Sequence, residues 1–264
     1  MKSNRDNIIR FRRRLFYSLP KNKTLYWICR RYVYYYDGEG DPDMITNGEL
    51  YVLRNSLQGK LNPIVFDVGA NIGDWTAAVL EIAPGARINC FEPGSYAYEK
   101  LTNRGFPDGV ICNNFGLSSH PSTKKLATYG WASYFNSLYS DRRFDINPEG
   151  VEEVRLETLS NYCEKNAIRN IDYVKIDVEG HELEVLKGAS KLLSEGSIHV
   201  LQFEYGDSYI SARLFLKDIF DFFSVYPYEF YKIIPNGLLP VTKYDPELEK
   251  FIYSNYLIKL RMSL

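Results

Sequence analysis

The chain has 264 residues, 45% apolar and 25% charged, with a formal net charge of −1. That composition excludes a disordered or fibrous polypeptide and supports one sizeable core with a short extension rather than two full domains. Of 32 basic and 33 acidic residues, ten Lys/Arg and one acid (Asp6) fall in residues 1–36; the remainder, 22 basic against 32 acidic, lacks the positive field of a nucleic-acid binder.

In chain order, residues 1–44 form a basic, aromatic-rich extension, which Pro20 splits into two helical segments. Its charge fits contact with an anionic membrane surface through residues 1–36. A solvated extension packing on the main domain is the plainer alternative. A Gly/Asp/Pro-rich link follows at Asp37–Asp43. No apolar run reaches the length of a membrane span. Four singleton cysteines (Cys29, Cys90, Cys112, Cys163) show no metal-type spacing. A reduced, cytoplasmic chain is expected, with any membrane association at the inner face.

Residues 45–264 then alternate strand and helix. Strands are predicted at Pro63–Val68, Arg87–Phe91, Val110–Phe115, Asp172–Val178, Ile198–Tyr205, Glu229–Ile234 and Phe251–Lys259. Helices are predicted at Asn47–Leu57, Asp74–Ile82, Ser95–Asn103, Thr158–Asn166, Glu182–Leu193 and Ala212–Tyr226. The alternation implies parallel βαβ units, with the last two strands closing as an antiparallel pair. The expectation is a doubly wound, mostly parallel seven-stranded α/β sheet. Ligands in such sheets sit at the carboxyl ends of the strands.

The first motif is Val65-Phe66-Asp67-Val68-Gly69-Ala70-Asn71-Ile72-Gly73. A strand ends near an acid, a glycine-bearing turn follows, and a helix begins. The spacing is G-x-x-x-G, which departs from the dinucleotide fingerprint and argues against a dehydrogenase. Glu92 closes the next strand, where a carboxylate accepts hydrogen bonds from both ribose hydroxyls of a nucleoside.

The second motif, Asp172–Glu182, runs from strand to helix as "DYVKIDVEGHE". It places Asp177, Glu179 and His181 at a strand's carboxyl end, and Glu204 comes near the end of the following strand. Together, "FDVGANIGDWT", "FEP", "IDYVKIDVEGHELEVLKGASKLL" and "LQFEY" resemble the FkbM methyltransferase pattern over roughly residues 45–235. The resemblance implies a class I, Rossmann-like fold and methyl transfer from S-adenosylmethionine (SAM) to a hydroxyl oxygen. The implied acceptor is a small molecule or glycan: a sugar, a lipid-linked glycan or a polyketide-type compound. A module that kept the fold but lost turnover is the alternative.

By the resemblance, Asp67, Gly69, Ala70, Asn71, Gly73 and Glu92 bind SAM, and Asp177, Glu179, His181 and Glu204 line the reacting end. His181 is the first candidate for general base, because a helix N-terminus favours a neutral imidazole. Asp177 could orient it or act as the base itself. Carboxylates with a histidine can hold a divalent metal, but no recognised ligand spacing is present, and no metal is assigned. Lys175, inside a buried strand, requires an acidic partner and is also a substrate-binding candidate. The stretch 118–150 is the expected substrate loop, with Tyr129 and Trp131 for stacking and Arg142 and Arg143 for an anionic group. A loop packing its own aromatics over the sheet edge explains it equally.

Overall fold

The computed structural model describes residues 2–18, 20–129, 136–139 and 147–261. The chain divides into two compact units, residues 1–37 and 38–264. The first holds α1 (Lys2–Ser18) and α2 (Lys23–Asp37), parted around Pro20, where the pyrrolidine ring cannot continue a helix. No residue of α2 is buried.

The second unit is built on β1 (Ile64–Val68), β2 (Arg87–Phe91), β3 (Val110–Asn113), β7 (Tyr173–Ile176), β8 (Val200–Tyr205), β9 (Tyr228–Ile234), β10 (Gly237–Pro240) and β11 (Ser254–Leu260). The strand order is β10-β9-β11-β8-β7-β1-β2-β3. The run from β3 to β8 is parallel, and the β8/β11, β11/β9 and β9/β10 pairs are antiparallel. The seven expected strands are all present. The eighth, β10, is a hairpin return turning at Pro235-Asn236, an Asn-bearing turn that sequence reading left unassigned.

Alternation along the central strands loads both faces. Phe66, Val68, Phe91, Val174, Ile176 and Phe203 join one core with Leu186 and Ile219. Val65, Ile88, Cys90 and Tyr173 join the other, under α3 (Glu49–Leu57) and α4 (Asp74–Ile82). A strand buried on both faces needs this continuous apolar run, and β7 is buried throughout. α5 (Ser95–Thr102) and α6 (Leu159–Lys165) form where expected.

Two expected helices are interrupted. Glu182–Leu193 is α7 (Glu182–Gly188) followed by α8 (Ser190–Ser194). The Ser160 hydroxyl donates to the Gly188 carbonyl at 2.8 Å, satisfying an acceptor that a helix end leaves open. Ala212–Tyr226 is replaced by α9 (Ser208–Ala212) and α10 (Leu216–Phe223), parted by Arg213 in the left-handed region at φ 56°. A second sheet, of order β4-β6-β5, comprises β4 (Gly116–Leu117), β5 (Ser122–Thr128) and β6 (Gly150–Glu157). It closes over Leu126, Val154 and Leu156.

Candidate active site

The strand order reverses direction at β1, which lies between β2 and β7. The crevice outside the carboxyl ends there is where such a sheet binds ligands. Gly69 leaves β1 at φ 85°, and a Cβ on it would stand 1.8 Å from the Asp177 carbonyl oxygen. The first motif therefore rests directly on the second, a closeness that only glycine permits. Asn71 follows at φ 47°, and its backbone N–H donates to Glu92 Oε2 at 2.9 Å. The Gly94 N–H donates to Glu92 Oε1 at 2.7 Å. Glu92 is thus the clasp between the glycine turn and the end of β2. Burial pushes its carboxyl up to about 7, against the lowering pull of those two amides.

Asp67 and Gly73 each have partners inside the fold. Asp67 is almost fully buried, and Thr76 Oγ1 donates to its Oδ2 at 2.6 Å. Burial raises it to about 6, while Lys175 pulls it down. It ties the end of β1 to α4 through Thr76. Gly73 is a packing position: a Cβ there would meet Leu101 Cδ1 at 2.6 Å and Phe106 Cε2 at 3.0 Å. Ala70 is buried, its N–H donating to the Phe91 carbonyl at 3.1 Å.

The second motif gathers acids around one cation. Lys175 Nζ donates to Asp177 Oδ2 at 2.8 Å and sits 5.9 Å from the centre of the Trp75 ring. Burial draws the Lys175 ammonium down, but Asp177, Glu49, Asp67 and Glu204 outweigh it and hold the proton on. Lys175 is therefore an internal counter-ion, not an open substrate contact. Donor oxygens of Asp177, Glu179 and Glu204 lie within 4.8 Å of one another, the one such group of potential metal ligands among the described residues. Burial, then Asp177 and Glu179, push Glu204 well above the usual carboxylate range. Beneath this cluster, Gln202 Nε2 donates to Glu49 Oε2 at 2.6 Å and Tyr173 OH to Gln202 Oε1 at 2.6 Å.

His181 does not suit the role of general base. It is 2% exposed. Its Nε2 pairs with Ser118 Oγ at 2.9 Å and its Nδ1 with Tyr139 OH at 2.9 Å. Burial, helped by Lys124, lowers the ring to about 4. A neutral imidazole with both nitrogens engaged joins elements and leaves neither nitrogen for a substrate proton. Ser137 Oγ adds a bond to the Glu179 carbonyl at 3.0 Å, beside this junction. Of the expected substrate-loop contacts, Tyr129 is buried at 4% exposure, so its ring is not open for stacking on a sugar. Trp131, Arg142 and Arg143 lie outside the described residues.

Sequence reasoning missed Glu182, whose Oε1 accepts from the Val178 N–H at 3.1 Å and the Gly180 N–H at 3.3 Å. An acid in the first turn of a helix was the signal for it. Burial raises Glu182 to about 8, which carries a pH prediction. Between pH 6.5 and 8 the native state still holds protons on Glu92 and Glu182 that the unfolded chain, titrating near 4.5, has already released. The native state binds the more protons, so stability falls as pH rises, by at most about 1.4 kcal/mol per pH unit for each group. His181, lowered to about 4 from 6.5, adds stability as pH rises to about 6.5 and nothing above it. Urea titrations across pH 6.5 to 8 should show the fall, and Glu182→Gln should flatten its upper half.

A doubly wound sheet with an acid-clasped turn at its switch point and acids along the adjoining strand ends defines the class I methyltransferase fold. Residues 67–230 match the methyltransferase FkbM domain, and the chain belongs to that family. It is 29% identical over 163 residues to the hexuronic acid methyltransferase AglP of Haloferax volcanii, covering 60% of this chain and 64% of that protein. It is 27% identical over 183 residues to the 2-O-methyltransferase NoeI of Sinorhizobium fredii, covering 63% of this chain and 73% of that protein. A crystal structure of methyltransferase FkbM from Methylobacillus flagellatus is similar at 18% identity and a TM-score of 0.48, covering 74% of this chain and 43% of that one.

Proposed function

We propose that this chain is a SAM-dependent O-methyltransferase acting on a sugar or lipid-linked glycan hydroxyl. Residues 45–264 form the catalytic domain, 1–44 an extension, and 118–150 the acceptor-facing stretch. The observation that carries the proposal is the Glu92 clasp, set at the switch point across from Asp177, Glu179 and Glu204. The names of AglP and NoeI support an acceptor of this kind.

The residues suit the cofactor. Glu92 spends one acceptor site of each oxygen on a backbone amide and keeps capacity for ribose hydroxyls. The acids near Asp177 provide a negative field for a sulfonium and an ammonium. SAM, when bound, supplies an electrophilic methyl group. The protein's share is to hold the acceptor hydroxyl in line and take its proton. Asp177 is the proton acceptor: its Oδ2 is paired with Lys175 Nζ at 2.8 Å, and its side chain retains 25% exposure. Glu204, whose carboxyl is pushed well above the usual range by burial and by Asp177 and Glu179, lines the same edge. No metal is assigned: Lys175 Nζ pairs with Asp177 at 2.8 Å and also feels the charge of Glu204.

Isothermal titration of the purified chain should show SAM binding that weakens at least tenfold in Glu92→Ala, the worth of one hydrogen bond to a charged group. Absence of binding to the folded wild type would remove the proposal.

A further inference from the structure

Among the described residues, the extension carries an exposed apolar face. In α2, Leu25, Ile28, Cys29, Tyr32, Val33 and Tyr36 recur at i, i+3, i+4, i+7, i+8 and i+11, the spacing of one helical face. In a globular protein that face is buried. Here Cys29 is exposed, and the other five range from 46% exposure at Val33 to 68% at Tyr36. Lys23, Arg30 and Arg31 lie on the opposite side by the same spacing, with the Arg30 guanidinium 5.3 Å from the Trp27 ring centre and 5.0 Å from that of Tyr34. In α1, Ile8, Phe11 and Leu15 repeat at i, i+3 and i+7 and are likewise exposed.

Charge selects the occupant. Residues 1–36 carry ten basic residues against Asp6 alone. Two copies meeting through these helices would bring like charges together. A nucleic acid would answer the charge and leave the apolar stripe in water. An anionic bilayer surface answers both, taking the stripe with its Tyr32 and Tyr36 rings into the headgroup boundary while Lys and Arg reach the lipid phosphates. We propose that α2, assisted by α1, is an interfacial helix that docks the enzyme on anionic lipid. This goes beyond methyl transfer and does not depend on it.

The test is co-sedimentation of the full chain with vesicles of phosphatidylcholine alone or with about a quarter phosphatidylglycerol. Anionic vesicles should bind at least about tenfold more protein, and high salt should reverse this. Leu25→Ser/Ile28→Ser/Val33→Ser and, separately, Arg30→Glu/Arg31→Glu should each lower binding about tenfold or more. Ile28→Trp in a Trp27→Phe background, which puts the indole on the stripe, should show a vesicle-induced blue shift in tryptophan emission. That signal decides the matter if the serine variant fails to fold. Equal binding to both vesicle types, binding unchanged in the serine variant, or wild-type self-association in place of vesicle binding would overturn the proposal. So would a preference for duplex DNA or RNA over anionic vesicles in competition.

Discussion

Lys175→Met is expected to lose about 3–5 kcal/mol of folding stability, the cost of leaving buried charge without its partner. The side chain is 11% exposed and acts on four acids: Asp177, Glu49, Asp67 and Glu204. Methionine fills similar volume, so the loss reports charge rather than a cavity. Urea unfolding reads it as a lowered midpoint at unchanged slope. Lys175→Arg keeps the charge and should recover part of the loss. A midpoint within about 1 kcal/mol of wild type would show that the acids shed their charge by taking up protons, and Lys175 would cease to be the organising cation.

Asp177→Asn is expected to lower kcat about 10²–10⁴-fold, the range for a removed general base. Glu204→Gln, which keeps the shape of a carboxyl that burial and acidic neighbours push well above the usual range, should cost tenfold or less. His181→Asn should lower stability through lost bonds to Ser118 and Tyr139 and leave the acid limb of the pH–rate profile in place. The assay is transfer of labelled methyl from SAM to a sugar acceptor, with one arm dialysed against EDTA. The proposal expects that arm to keep its turnover. A larger loss from Glu204→Gln than from Asp177→Asn would exchange the two roles, and loss on chelation restored by magnesium would make the acids metal ligands.

The main sheet was legible because its punctuation is local. α4 and β2 form over the expected residues, set by Gly73, Pro84-Gly85 and the run of apolar residues between them. The placement of Asp177, Glu179 and Glu204 at adjoining strand ends followed from the same alternation. The remaining features depend on partners far away in sequence. Nothing near His181 announces Ser118 or Tyr139, 63 and 42 residues distant. β5 carries Lys124 and Lys125 on a small, half-covered sheet, so its pattern resembles a loop. Tyr129 looks like a free aromatic until β5 and β6 close beside it. Asp67 reads as a ligand residue because its hydroxyl partner, Thr76, lies nine residues on in the next helix.

The pair of bonds from Ser137 and Tyr139 to Glu179 and His181 has an evolutionary corollary. It ties the stretch 118–150 to the Asp172–Glu182 motif at two neighbouring side chains. A lineage could exchange the sequence on either side of that tie and inherit a correctly seated reaction edge each time. A chimaera that grafts a relative's acceptor stretch should accordingly take its junctions outside residues 137–139 and carry both anchors across intact.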